Sequence, residues 1–217
     1  MVTDVLTSAV YNNVAWCASM CRVHGITSTY DDDVWASHRP SPRWFPDAIC
    51  LRPTVAADTV VAALTPRRHA SVKDCFADVD LSGHGFERLF EARWIAAPPA
   101  STGEGAAWSI VRGTEELNVW GASGVGEVIV PALLNDPTVT VVAEFDGAVL
   151  NLAADVVGVS NVFDTAGVSV ATWGAVASTA ATVWPGTPLV GYEADDDAAA
   201  ACTAGFTDVG VLRVWAR

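Results

Sequence analysis

Near the start of the chain, apolar residues recur at three- and four-residue intervals: Leu6, Val10, Val14, Cys17 and Cys21. That spacing places them on one stripe of a 3.6-residue period and predicts an opening helix over residues 6–24. A polar, aromatic segment follows, carrying Asp31, Asp32, Asp33 and Trp35, with Pro40, Pro42 and Pro46 interrupting regular structure. The pattern then predicts a strand over 47–51, a short helix over 56–64 stopped by Pro66, a strand over 72–79, and another over 89–96 ending in Trp94 and Ile95. Residues 97–107 are small, Pro- and Gly-rich and read as a linker, which sets a boundary at 98–107.

The second half is patterned more clearly. Strands are predicted over 108–112, 138–145, 148–153, 156–163, 188–193 and 209–215, with a helical start at 115–120 and a short helix at 128–134. Asp146-Gly147 is a hairpin signal between two of these strands. Residues 167–184 are uncharged and long enough to raise the question of a membrane span. Their large residues keep helical spacing (Trp173, Val176, Ala177, Ala180, Trp184) among many Ser, Thr and Ala, which predicts a buried amphipathic helix instead. Asp195 is placed to cap a last helix running to Ala204, where Gly205 supplies a left-handed terminator. A hairpin followed by two strands joined through a helix gives an α+β class with one parallel crossover.

The halves also look alike. Gly85-Phe86 precedes Arg93 by the same interval as Gly205-Phe206 precedes Arg213, an ungapped offset of 120, and each leads into a strand with Trp near its end, Trp94 and Trp215.

Composition narrows the function. Of 217 residues 51% are hydrophobic and 17% charged, which excludes a disordered chain. Twenty-five acids against twelve bases leave a net charge of −13, which argues against nucleic-acid and anionic-membrane partners, since both need a basic face. Eleven of the twelve bases are Arg and the other is Lys73, a compositional bias. Five cysteines at irregular spacing do not form a disulfide framework, and no basic start leads into an apolar run, so a cytoplasmic protein is predicted.

Residues 108–217 resemble the GNAT N-acetyltransferase superfamily. Three stretches carry the resemblance: 141–149, like the family's second-to-third strand hairpin; 159–163 with 164–171, in the position of its fourth strand and acyl-CoA loop; and 189–193, followed by an Ala-rich helix, Ala204-Gly-Phe206 and a final strand. The resemblance implies a mixed, mostly antiparallel sheet flanked by helices. Residues 1–97 then read as a shortened, degenerate lobe of the same fold, with 108–217 as the acyltransferase-like domain. It further implies acetyl-CoA as cofactor, held by Val162, Phe163, Gly167, Val168, Ser169, Val170 and Ala171, where loop N–H groups at a helix start face a pyrophosphate. The family's loop Arg or Gln is Ala166 here, and its middle glycine is Ser169. The family's fourth-strand Glu is replaced at Ser160 and Asn161, and its last-helix Tyr by the stretch 199–202. Ser160, Asn161, Tyr192 and Glu193 are the positions able to substitute as proton carriers. The implied function is acyl-CoA-dependent N-acyl transfer to a small-molecule or peptide amine. The alternative is a non-catalytic protein of the same fold that binds a ligand or partner between its lobes. The oligomeric state is open, a homodimer included.

Other clusters have plainer readings. Cys17, Cys21 and His24 have the spacing of soft metal ligands on one helix face, but they continue the stripe of Leu6 and Val10 and predict core. The Asp31–Asp33 and Asp195–Asp197 runs read as solvated. Cys202 is expected to be small and buried, and His38 and His69 exposed. Trp94, Trp173, Trp184 and Trp215 are expected in the core, with Trp35 and Trp44 in a pocket wall or between lobes.

Overall fold

A computed structural model describes residues 4–64, 66–100, 108–121, 128–143 and 146–217. The first half runs α1 (Val5–Val23), β1 (Ser28–Tyr30), β2 (Val34–Ser37), β3 (Ala48–Cys50), α2 (Ala57–Ala63), β4 (Ser71–Asp74) and β5 (Glu87–Ala97). The second runs β6 (Ser109–Ile110), α3 (Thr114–Gly121), β7 (Val139–Ala143), β8 (Gly147–Ala153), β9 (Val156–Phe163), α4 (Val170–Val183), β10 (Leu189–Glu193), α5 (Asp195–Thr203) and β11 (Thr207–Ala216). The α+β class and the mixed sheet flanked by helices agree with the sequence reading.

All these strands join one sheet, in the order β1-β2-β3-β4-β11-β5-β10-β9-β8-β7-β6. Each half therefore places its last strand against the other half: β11 lies between β4 and β5, and β5 between β11 and β10. Two neighbouring pairs are parallel, β3 with β4 and β9 with β10, so the single crossover read from sequence becomes two. The β5–β11 register is symmetric about Ala92↔Leu212. Arg93 pairs with Val211 and Glu91 with Arg213, and each pair converts into the other by the 120-residue offset. The turns before these strands match as well. Phe86 N–H donates to Leu81 O and Phe206 N–H to Ala201 O, with Gly85 and Gly205 at positive φ in both.

Alternation along the strands divides the core into two layers. On one face α1 lays Val10, Cys17 and Cys21 against Trp35, Ile49, Trp94 and Leu212, and extends Trp16 and Met20 toward Val141 and Val149 of the second half. On the other face α2 covers Val72 and Trp215, while α4 and α5 cover Ile95, Val157 and Leu189 with Trp173, Val176 and Ala201. The helix over 170–183 is thus packed in the core, and no helix among the described residues is long and apolar enough to cross a membrane.

One polar clamp holds α1 to the second half. The Asn12 amide Nδ2 donates to the carbonyls of Asn151, Ala153 and Val156, and Asn151 Nδ2 donates back to Asn12 Oδ1 at 3.0 Å. Gly158 makes room for it, since a Cβ there would stand 1.9 Å from Asn12 Oδ1 and 2.4 Å from Asn151 Oδ1.

Several expectations are corrected. The segment after α1 is a hairpin, because the Asp31 carboxylate accepts the N–H groups of Asp33 and Val34 and turns the chain. The strand predicted over 72–79 ends at Asp74, whose carboxylate accepts from Phe76 and Val79 and curls the chain away. The strand predicted over 108–112 is reduced to β6, and the helix over 128–134 is a 3-10 segment, Pro131–Asn135. In α5 the capping position belongs to Ala194 and Asp195 is already helical. Cys202 is exposed, not buried, and Trp35 is core, not pocket wall. Residues 101–107, most of the predicted linker, fall outside the described residues, as do 144–145 in the hairpin read at 138–153.

Candidate functional site

The opening in the sheet comes from a local irregularity. β9 and β10 pair only through Val157↔Leu189 and Gly158↔Val190, and beyond that the strands part. Between Val149↔Ser160 and Gly147↔Phe163 one extra residue is accommodated on β9. Asn161 takes the left-handed conformation there, φ +54, which Asn tolerates better than most residues. The bulge bends β9 away from β10 and leaves a slot.

A cavity of about 220 Å³ occupies this slot where the halves meet. The second half lines it with 159–162 of β9 and with Tyr192 and Glu193 of β10. The first half contributes Asn13, Trp16 and Cys17 from α1, the loop 44–46, and Lys73 from β4. All four residues named from sequence as proton carriers, Ser160, Asn161, Tyr192 and Glu193, face this one cavity. Trp44 lines it as well.

Its electrostatics are set by two groups. Burial, and then the negative charge of Asp197 on α5, push the Glu193 carboxyl up to about 8, so it is mostly protonated at pH 7. Lys73 is 2% exposed, with Nζ donating to Asn13 Oδ1 at 2.8 Å and lying 4.1 Å from the centre of the Tyr192 ring. Burial opposes its charge, but Tyr192, Cys17 and Cys75 favour it, and its pKa lies above the ordinary lysine value. At neutral pH the charge on the cavity wall is therefore Lys73, a cation in an acidic protein.

Part of the loop read as the cofactor cradle is bonded to the chain itself. Asp164 accepts from Ala166 N–H at 2.7 Å and from the Thr172 hydroxyl at 2.6 Å, and these bonds hold its carboxyl below the usual range. Ser169 is the N-cap of α4: its N–H donates to Thr172 Oγ1 and its hydroxyl accepts from Thr172 N–H. Phe163 packs edge-on against Trp120, and Val168 lies against the α4 layer. Gly167, φ +100, Val170 and Ala171 are on the surface of the loop, not in the slot. Residues 113–212 contain thirteen Asp and Glu and no Lys, Arg or His, so this stretch has no cation of its own to offer a phosphate. A diphosphate here would meet the Asp164 carboxylate on donors it needs. A pyrophosphate at this loop would therefore have to rely on the N–H groups at the start of α4, against the Asp164 carboxylate and with no cation from this stretch.

The remaining clusters are structural. Cys17 and Cys21 are buried in the core, Cys17 with its thiol pushed up to about 11 by burial, and His24 Nε2 is bonded to Val128 O. Among the described residues no group of three or more His, Cys, Asp or Glu is arranged to hold a metal ion. Sequence reasoning missed Asn13, Trp16, Phe45 and Lys73. A signal existed only for the last, a lone lysine inside the strand Val72-Lys73-Asp74-Cys75.

A mixed sheet opened by a bulge between two parallel strands, with a helix-starting loop at the end of the first, is the architecture of the GCN5-related N-acetyltransferases. The chain has that fold over nearly its whole length. A GCN5-related N-acetyltransferase from Kribbella flavida superposes with a TM-score of 0.62 at 17% identity, over 96% of this chain and 95% of its own. A conserved protein of unknown function from Staphylococcus epidermidis gives 0.61 at 9% identity, over 87% and 92%. A GCN5-related N-acetyltransferase from Sphaerobacter thermophilus gives 0.51 at 9%, over 97% and 93%. No protein-family model and no curated relative matches the sequence.

Proposed function

We propose that the cavity between β9, β10 and α1 is the working site, and that the protein binds a small organic ligand there without depending on the cofactor loop. The observation that carries this is the contrast between the two candidate sites. The cavity presents open polar groups and a cation, while the loop carries the Asp164 carboxylate on the Ala166 N–H and the Thr172 hydroxyl and has no cation of its own. The two-lobe organisation, 1–97 and 108–217, belongs to the same proposal. It is supported by the symmetric β5–β11 register, and it makes the cavity an inter-lobe site.

N-acyl transfer to an amine is the second reading, favoured by Glu193. An ammonium must lose a proton before its nitrogen can attack an acyl carbonyl, and a carboxylate with pKa near 8 is a suitable acceptor for it. Lys73 would assist by disfavouring a second cation beside it, which keeps the amine neutral.

Acetyl-CoA separates the readings. At millimolar concentration it is expected to leave the melting temperature unchanged, where a ligand at a thousandfold excess over its Kd adds about 4 kcal/mol. A panel of small acids, amines and amides is expected to contain members that raise it, with the rise abolished by Ser160→Phe, which fills the slot. A rise of several degrees with acetyl-CoA, lost in Gly167→Trp, would replace the first reading by the second.

A further inference from the structure

We infer that the cavity is a carboxylate-binding site in which Lys73 pairs with the acid group of a small, flat, apolar-bodied ligand. The inference rests on the cavity being the working site and names the ligand's chemistry.

Lys73 is the starting point. An ammonium has three N–H donors, and the described residues give it Asn13 Oδ1 and the Tyr192 side chain, whose ring lies under it and whose hydroxyl also takes part, both of them uncharged partners. No carboxylate of the described residues lies within ion-pair distance of it, although every other buried charge nearby is served. Asp74 next to it is bonded to Phe76 and Val79 N–H, and Asp47 accepts from Arg67 at 2.9 Å and from Ser41 and Ser71 N–H. Lys73 thus stays charged in the cavity wall with a neutral amide and an aromatic ring as its partners, and a carboxylate is the counter-charge it can still take. Lys73 lines the cavity, so an anion bound there lies beside its ammonium.

The rest of the wall selects the kind of anion. Trp16, Phe45 and Tyr192 line the cavity, and Trp16 packs edge-on to Phe45 at 5.7 Å. Such walls favour a flat apolar body over a hydrated phosphate. The size, about 220 Å³, suits a molecule on the scale of an aromatic acid. Glu193, protonated at neutral pH, does not repel the ligand and can donate a hydrogen bond to it.

The probe pair is sodium benzoate and benzamide, which share shape and differ in charge. Titrated into the whole protein at pH 7, benzoate is expected to raise the melting temperature and to bind at least tenfold more tightly than benzamide. Lys73→Met is expected to abolish that preference. Asn13→Asp supplies an internal carboxylate to Lys73, so it should stabilise the ligand-free protein and weaken benzoate at least tenfold. This second variant keeps the test decisive if Lys73→Met fails to fold. Equal responses to benzoate and benzamide overturn the carboxylate assignment while leaving a ligand site in the cavity. Undiminished benzoate binding in both variants overturns the role of Lys73. No response to either probe, beside a panel member whose effect Ser160→Phe removes, also overturns the assignment and spares the proposed function.

Discussion

Glu193→Gln is expected to stabilise the protein by about 3 kcal/mol at pH 9 and by little at pH 4. The folded carboxyl titrates near 8, against 4.5 for the free group, because burial and Asp197 disfavour its charge. The folded state therefore holds a proton that the unfolded chain gives up, and stability falls as pH rises from about 4.5 through 8. Glutamine has no such dependence, so the gap between the two proteins opens over that window and is complete above it. A tenfold difference in acidity between folded and unfolded chain is worth about 1.4 kcal/mol, and the total is discounted because the Glu193 side chain is only partly buried. Three kilocalories should appear as roughly 6–12 °C in melting temperature for a chain of this length. Parallel pH curves for the two proteins would remove Glu193 as a buried acid. The same variant bears on chemistry. Any acyl transfer to an amine should climb between pH 7 and 9 in the native protein and be lost in the glutamine form.

The second large effect is expected at Gly158. Alanine there drives a methyl group into Asn12 and Asn151, whose amides tie α1 to β8 and β9 through three buried bonds and one part-buried one. Neither neighbour is a flexible chain end, so the clamp must open, leaving buried carbonyls without a donor at about 1–3 kcal/mol each. A loss of about 3 kcal/mol or more is expected in urea unfolding. Asn12→Ala should cost a similar amount, and the double variant little more than the worse single one, because both break the same clamp. Additive losses would mean that Gly158 matters for something else.

The sequence was most informative where periodicity was long and turn chemistry explicit. The opening helix, the second-half strands, the helix ending before Pro185 and the Gly205 terminator all followed from local pattern. What it hid was set by single carboxylates: Asp31 made a hairpin inside a segment read as irregular, and Asp74 ended a strand five residues early. The site divided in the same way. Ser160 and Asn161 were reachable through the resemblance, which marks their place on the fourth strand, and Tyr192 and Glu193 because they end a predicted strand. Asn13, Trp16 and Lys73 were not, since their apolar neighbours on α1 and β4 predict core, and only the pairing of distant strands brings them to the slot. The loop could be located from sequence. That Asp164 holds the Ala166 N–H and the Thr172 hydroxyl depends on a turn geometry that the residue order does not announce.

The exchange of final strands has a consequence for how the protein is made. The sheet of the first half is closed by β11, whose Ala216 pairs with Ser71 and whose Leu212 pairs with Ala92. A ribosome releases α1 through β5 long before β11, so during synthesis β4 and β5 wait with open edges and the face of Trp94 has no neighbour on one side. The halves cannot mature one after the other. Folding should be a single late event of high contact order, slow for the chain's size and dependent on chaperone protection until β11 is threaded into the middle of the sheet.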